Sequence, residues 1–181
     1  MARSLQEIYN NYCQKPSDIN EHLPTLLKLA SNYDHVTEFG SRFGRSTSAL
    51  LMGKPKKMIS YDNSILSELS ELKSLAPDTD YTFIKANVLE IEIEETDFLF
   101  IDTWHAYKQL KAELEIHSSK VRHKIALHDT EAFKFKGDTC KGTRDPEGGL
   151  WPAIEEFVAA NPWKIERHFK TNNGLTILTR D

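Results

Sequence analysis

The segment Val36 to Leu51, VTEFGSRFGRSTSALL, places an acid, two glycines four residues apart and a hydroxyl-rich run within one strand-turn-helix length. Gly40 lets the backbone turn sharply out of a strand. Gly44 lets a ligand approach the start of the next helix, where unpaired N–H groups and the dipole favour a carboxylate or phosphate. Ser46, in the first helical turn, adds a hydroxyl donor. Asp62 follows Gly40 by 22 residues, and an acid about 20 residues beyond such a turn is placed to bind a ribose diol. Glu38 and Asp62 therefore bracket a nucleoside. In the competing reading the glycines serve turn geometry alone and Asp62 caps the helix near Ser64.

The elements that must position these residues follow from periodicity. SDINEHLPTLLKLASNY reads as an amphipathic helix capped by Ser17 or Asp18, with Ile19, Leu23, Leu26, Leu27 and Ala30 on one face. Strands HVTEF, KMISYD, YTFIKAN, DFLFID and KIALHD then alternate with helices RSTSALLMG, SILSELSELKSL and AYKQLKAELEIHS. The last of these helices puts Leu110, Leu114 and His117 in register. Apolar strands separated by helices imply a mostly parallel sheet covered on both faces. A further helix, LWPAIEEFVAANP, turns Leu150, Ile154, Phe157 and Val158 inward, and WKIERHFKT and LTILTR flank NNG. Asn173-Gly174 between two β-rich runs is a hairpin signal. The expected fold is α/β: a Rossmann-like, seven-stranded open sheet, mostly parallel with a C-terminal antiparallel hairpin and helices on both faces. Ligands bind such sheets beyond the carboxyl ends of the strands, here after Phe39, Asp62, Asn87, Asp102 and Asp129.

Composition bounds the rest. The chain has 181 residues, enough for one substantial core, with net charge -4 and 39% hydrophobic residues. A single domain spanning residues 1–181 is expected, with residues 1–16 as an N-terminal extension and residues 133–149 as a substrate-side loop. A net acidic chain whose only compact basic cluster is Gly53 to Met58 is not a general nucleic-acid binder. Cys13 and Cys140 have no ligand or disulfide spacing. No apolar run reaches membrane-spanning length and the N-terminus lacks a signal-peptide core, so a cytoplasmic protein with no membrane partner is expected. A homodimer built on Met1 to Lys15 is compatible with the sequence.

EFGSRFGRSTSALL, SYD, DFLFIDTWHAYKQLKAEL and IALHDT, taken in order, resemble the motifs of class I S-adenosylmethionine-dependent methyltransferases. The branch resembled contains catechol O-methyltransferase and the small cephalosporin-hydroxylase-like and macrocin-type O-methyltransferases, and the resemblance runs from Ile19 to the C-terminus. It implies that Glu38, Gly40 and Ser46 hold the methionine part of S-adenosylmethionine, with Ser41, Phe43 and Gly44 of the same turn completing that side. Asp62 would hold the ribose, Asn87 and Val88 would lie beside the adenine, and Trp104 would flank it. Asp102 falls where catechol-type enzymes keep a metal-binding carboxylate, which also touches the cofactor and serves catalysis. His105 falls at the catalytic base, a role that its ordinary pKa near neutrality suits. Asp129 falls at the second metal carboxylate, and His128 stands where metal-dependent relatives carry a carboxylate. A divalent cation, magnesium or manganese, would be held by Asp102, His128 and Asp129.

The expected activity is methyl transfer to the hydroxyl of a small-molecule acceptor. The loop from Phe133 to Gly149, with Lys134, Lys136, Lys141, Arg144, Asp145 and Glu147, would cover that acceptor, its cationic balance hinting at an anionic or polyhydroxylated one. Two other readings stand beside it: an NAD-dependent oxidoreductase, disfavoured by GxxxG in place of GxGxxG and by the lack of a second mononucleotide half, and a non-catalytic cofactor-binding protein of the same fold. His22, His35, His117, His123 and His168 join no constellation visible in the sequence.

Overall fold

The computed structural model describes residues 3–64, 67–138, 144–145 and 148–180. Cys140, Lys141 and Glu147 of the expected substrate-side loop lie outside the described residues. The strands are β1 (His35–Phe39), β2 (Lys57–Asp62), β3 (Asp80–Lys85), β4 (Thr96–Ile101), β5 (Val121–His128), β8 (Trp163–Phe169) and β9 (Leu175–Arg180), with a two-residue ribbon β6 (Gly137–Asp138) and β7 (Arg144–Asp145) apart from them. The helices are α1 (Leu5–Gln14), α2 (Leu23–Ala30), α3 (Arg45–Met52), α4 (Ser67–Leu75), α5 (Tyr107–His117) and α6 (Leu150–Ala160).

Seven strands form one sheet in the order β3-β2-β1-β4-β5-β9-β8. β1 to β5 pair in parallel, whereas β9 runs antiparallel to both β5 and β8. This is the expected seven-stranded sheet. Strand order reverses between β1 and β4, whose register sets Phe39 opposite Ile101. β4 is buried along its whole length, as a strand covered on both faces must be. Its alternate side chains divide between two cores: Phe98 and Phe100 pack with α1, α2, α3 and α4, and Leu99 and Ile101 pack with α5 and α6.

One expectation at the N-terminus is corrected. Within the N-terminal segment Ser4 and Glu7 cap α1 reciprocally and Ile8 and Tyr9 are buried in the core on the α3 side. Those two side chains are therefore spoken for within the chain. The next helix begins at Leu23, not at Ser17 or Asp18. Pro24 has no N–H and its ring fits only the first helical turn, while Ser17 Oγ accepts instead from Asn20 N at 3.1 Å and closes a separate turn.

The basic cluster after α3 is spent on neighbours: Lys54, Lys56 and Lys57 pair with Asp78, Asp34 and Glu94. No helix among the described residues is long and apolar enough to cross a membrane.

Gly40 has a φ of +82°, and a Cβ there would lie 2.0 Å from the carbonyl oxygen of Asp102. Left-handed strain and forced separation of β1 from β4 add, so Gly40→Ala should cost about 2–5 kcal/mol. Urea unfolding measures this; a variant within about 0.5 kcal/mol of the parent, the usual range for an inert substitution, would refute the close-approach account.

Candidate active site

The carboxyl ends of β1, β2, β3 and β4 open onto a cleft of about 620 Å³, lined among others by Gly40, Asp62, Asn87, Val88, Asp102 and Trp104. Asp62 stands at its rim with Oδ2 accepting from Arg42 N at 2.9 Å and Oδ1 from Ser64 N at 2.8 Å. Each oxygen keeps lone-pair capacity for a further donor. Asn87 caps the 3₁₀ turn Val88–Glu90 by accepting from Leu89 N at 3.1 Å. Trp104 is 47% exposed, an indole with a free face at the cleft.

Beneath the glycine turn lies Glu38, fully buried. Its Oε1 accepts from Ser46 Oγ at 2.6 Å, and its Oε2 from Thr47 Oγ1 at 2.8 Å and Ser60 Oγ at 2.5 Å. Burial pushes Glu38 up to about 7, against the pull of those three hydroxyls. Its direct partners are thus the start of α3 and the middle of β2. Gly44 caps α3 with a φ of +75°, and a Cβ there would strike Leu72 of α4 at 2.6 Å. Ser41, Phe43 and Ser46 line a smaller recess with Asp18, Arg45 and Asp102, of about 30 Å³. Ser41 is buried and its hydroxyl has no partner among the described residues.

At the ends of β4 and β5 the chain gathers two carboxylates and two imidazoles. His105 Nε2 lies 2.7 Å from Asp129 Oδ2 and 3.6 Å from Asp102 Oδ1. His128 Nδ1 lies 3.2 Å from Asp102 Oδ1 and 3.5 Å from Asp129 Oδ2, and its Nε2 meets the Asp18 carbonyl at 3.0 Å. Phe133 stacks on His105 with ring centroids 4.3 Å apart. Burial alone would depress both imidazoles, but the two carboxylates outweigh it and push each up to about 9. Burial would raise Asp102; the positive charges of His128 and His105, with nearest atoms 3.2 Å and 3.6 Å away, hold it well below the usual carboxylate range. The near-neutral value that would suit His105 as a base is not the one its surroundings favour, since two carboxylates hold its protonated form.

Donor atoms of Asp102, His128 and Asp129 all lie within 4.8 Å of one another. His128 Nδ1 is buried and aimed along no hydrogen bond among the described residues. These three residues form a group that could hold a metal ion.

Sequence reasoning missed three groups. Glu113 is buried on α5, takes hydrogen bonds from Thr103 Oγ1 at 2.6 Å and Gln109 Nε2 at 2.8 Å, and is pushed by burial up to about 7. It lies three residues after Leu110 and four before His117, on the buried face of α5. His22 packs edge-on to His128 with centroids 5.8 Å apart and bonds through Nε2 to the Thr171 carbonyl at 2.9 Å. Asn173, expected only as a turn residue, donates to Asp129.

No family model matches the chain, and no curated protein matches it by sequence. Solved structures do match. An O-methyltransferase from Bacillus cereus in complex with S-adenosylhomocysteine superposes with a TM-score of 0.64 at 16% identity, covering 98% of this chain and 90% of that one. The S-adenosylhomocysteine-bound methyltransferase of Podospora anserina gives 0.63 at 15%, covering 100% and 89%. The 1,6-didemethyltoxoflavin-N1-methyltransferase of Burkholderia thailandensis gives 0.71 at 12%, covering 95% and 83%. The shared architecture is the Rossmann-like, seven-stranded sheet with its antiparallel C-terminal pair, common to this chain and those methyltransferases.

Glu38 generates a test. Its folded pKa lies above the unfolded value, so its contribution to stability is present at low pH and is lost as pH rises through about 7. Between pH 5 and pH 8 the parent should lose stability relative to Glu38→Gln, by up to about 3 kcal/mol. Parallel stability–pH curves for the two proteins would show that Glu38 keeps an ordinary pKa.

Proposed function

We propose that the chain transfers a methyl group from S-adenosylmethionine to the hydroxyl of a small-molecule acceptor. The observation that carries this reading is Asp102, which lines the nucleoside-sized cleft and also belongs to the cluster of carboxylates and imidazoles. A methyl donor bound in the first would face an acceptor activated by the second.

In this reading Asp62 accepts the two ribose hydroxyls, Asn87 and Val88 border the adenine, and Trp104 gives it an aromatic wall. Gly40, Ser41, Phe43, Gly44 and Ser46 receive the methionine end at the amino terminus of α3, whose N–H groups suit a carboxylate. Glu38 acts from below, fixing the hydroxyls of Ser46 and Thr47.

The donor supplies a methyl carbon on a sulfonium; the carbon–sulfur bond breaks as the carbon–oxygen bond forms, and the acceptor's proton must leave. The protein's share is alignment and that proton. His105 is the group placed to take it, with Asp129 holding its Nε2, and it can do so only when neutral. Asp102, His128 and Asp129 would hold a divalent cation, which would supply Lewis acidity and offset the carboxylates that keep His105 protonated. An imidazole in the set favours manganese over magnesium.

Asp62→Ala should weaken S-adenosylhomocysteine binding about ten- to a hundredfold, the loss expected for hydrogen bonds to a charged group. Calorimetry reads this directly, and absence of heat with the folded parent would sink the methyltransferase reading. Thermal stabilisation by NAD but not by S-adenosylhomocysteine would replace it with a dehydrogenase.

For His105→Ala, turnover should fall about 10²-fold or more while S-adenosylhomocysteine affinity holds. Equal loss of both would move His105 into the adenine wall. Activity should likewise drop in excess chelator and return with manganese; full activity in chelator would leave base catalysis without a cation.

A further inference from the structure

The turn between β8 and β9, Thr171 to Gly174, reaches the cluster at the ends of β4 and β5. Asn173 Nδ2 donates to Asp129 Oδ1 at 2.8 Å. The other oxygen, Oδ2, is the one facing His105 at 2.7 Å and His128 Nδ1 at 3.5 Å. A carboxylate about its last torsion has a broad, roughly two-fold profile, so an amide bound to one oxygen fixes the plane of the group and holds the other oxygen toward the reaction centre.

The backbone supports the same role. The carbonyl of Asn173 accepts from Glu131 N at 2.8 Å and Ala132 N at 2.9 Å, pinning the chain just beyond Asp129. Asp129 and Asn173 both take left-handed backbone, with φ of +61° and +68°, a conformation that Asp and Asn tolerate better than most residues. The turn is itself anchored. Asn172 accepts from Glu21 N at 2.9 Å and donates to the Ser17 carbonyl at 2.5 Å, and a Cβ on Gly174 would meet Glu131 N at 2.4 Å. The left-handed backbone serves the turn itself, but the side-chain bonds from Asn173 to Asp129 and from Asn172 to Ser17 reach beyond the hairpin.

Building on the proposed methyl transfer, we propose that Asn173 is a positioning residue for it: its amide fixes the rotamer of Asp129 so that Oδ2 alone is presented to His105, His128 and the acceptor. Asn173 touches no reacting atom and acts through Asp129, as the outer partners of ligating and catalytic carboxylates do.

Asn173→Gly tests this without breaking the turn, since glycine accepts a φ of +68° and removes only the amide. The variant should fold and bind S-adenosylhomocysteine as the parent does, with kcat lowered about 10- to 100-fold and KM for the donor unchanged. Asn173→Asp, which sets a carboxylate against Asp129, should be lower still. A second readout is independent of activity: the downfield imidazole N–H resonance of His105, bonded to Asp129, should shift or broaden in Asn173→Gly. Parental turnover together with a parental resonance would overturn the assignment. A parent that transfers no methyl group would defeat the functional reading alone, and the resonance comparison would still decide what Asn173 does to Asp129.

Discussion

The approach of Gly40 to the carbonyl of Asp102 governs the whole functional end of the molecule. β1 and β4 are neighbours because strand order reverses between them, and their register brings the residue after Phe39 against the residue after Ile101. With no side chain at Gly40, the turn that opens α3 can fold directly over the end of β4. The cleft on one side and the charged cluster on the other then share a wall, and Asp102 is that wall. A larger residue at position 40 would separate them by the width of its own Cβ, whatever the remaining residues did.

Around that contact the molecule distributes buried charge in two ways. Glu38 and Glu113 are each surrounded by neutral donors, and burial raises both toward neutrality. Asp102, His105, His128 and Asp129 instead balance one another as two acids and two bases. The first kind of site is rigid at little electrostatic risk. The second is poised, because any ligand that brings charge to one member redistributes protons among the rest.

Much of this could be read from the sequence. Strands HVTEF, KMISYD and LTILTR match β1, β2 and β9 end to end, because short apolar runs bounded by Gly, Asp or Asn leave little freedom of register. The positions of Gly40, Asp62, Asp102 and Asp129 followed from strand ends, which a parallel sheet places at one edge, whereas His105 and His128 were singled out by the family resemblance. Less legible were contacts joining segments far apart in the chain. His128 meets Asp18 across 110 residues and His22 meets Thr171 across 149, and no local periodicity encodes either. Glu113 stayed hidden because a charged residue on a helix reads as solvated, and its hydrogen bonds come from Gln109 one turn earlier and from Thr103 outside the helix. The elevated pKa of His105 is likewise a property of assembled neighbours. The early part of SDINEHLP misled for a local reason, since Pro24 and the Ser17 turn outweighed its helical spacing.

The placement of β9 bears on how the protein comes into being. It is the interior strand between β5 and β8, yet it follows both in the chain. During synthesis, Asp62, Asp102, His105, His128 and Asp129 all leave the ribosome before the strand that flanks β5 and before the amide that steadies Asp129. A nascent chain stalled ahead of Asn173 therefore carries a complete glycine turn and every charged member of the cluster, but exposes the free edge of β5. Such a fragment presents unpaired backbone N–H and C=O groups along β5, a template on which another chain can pair.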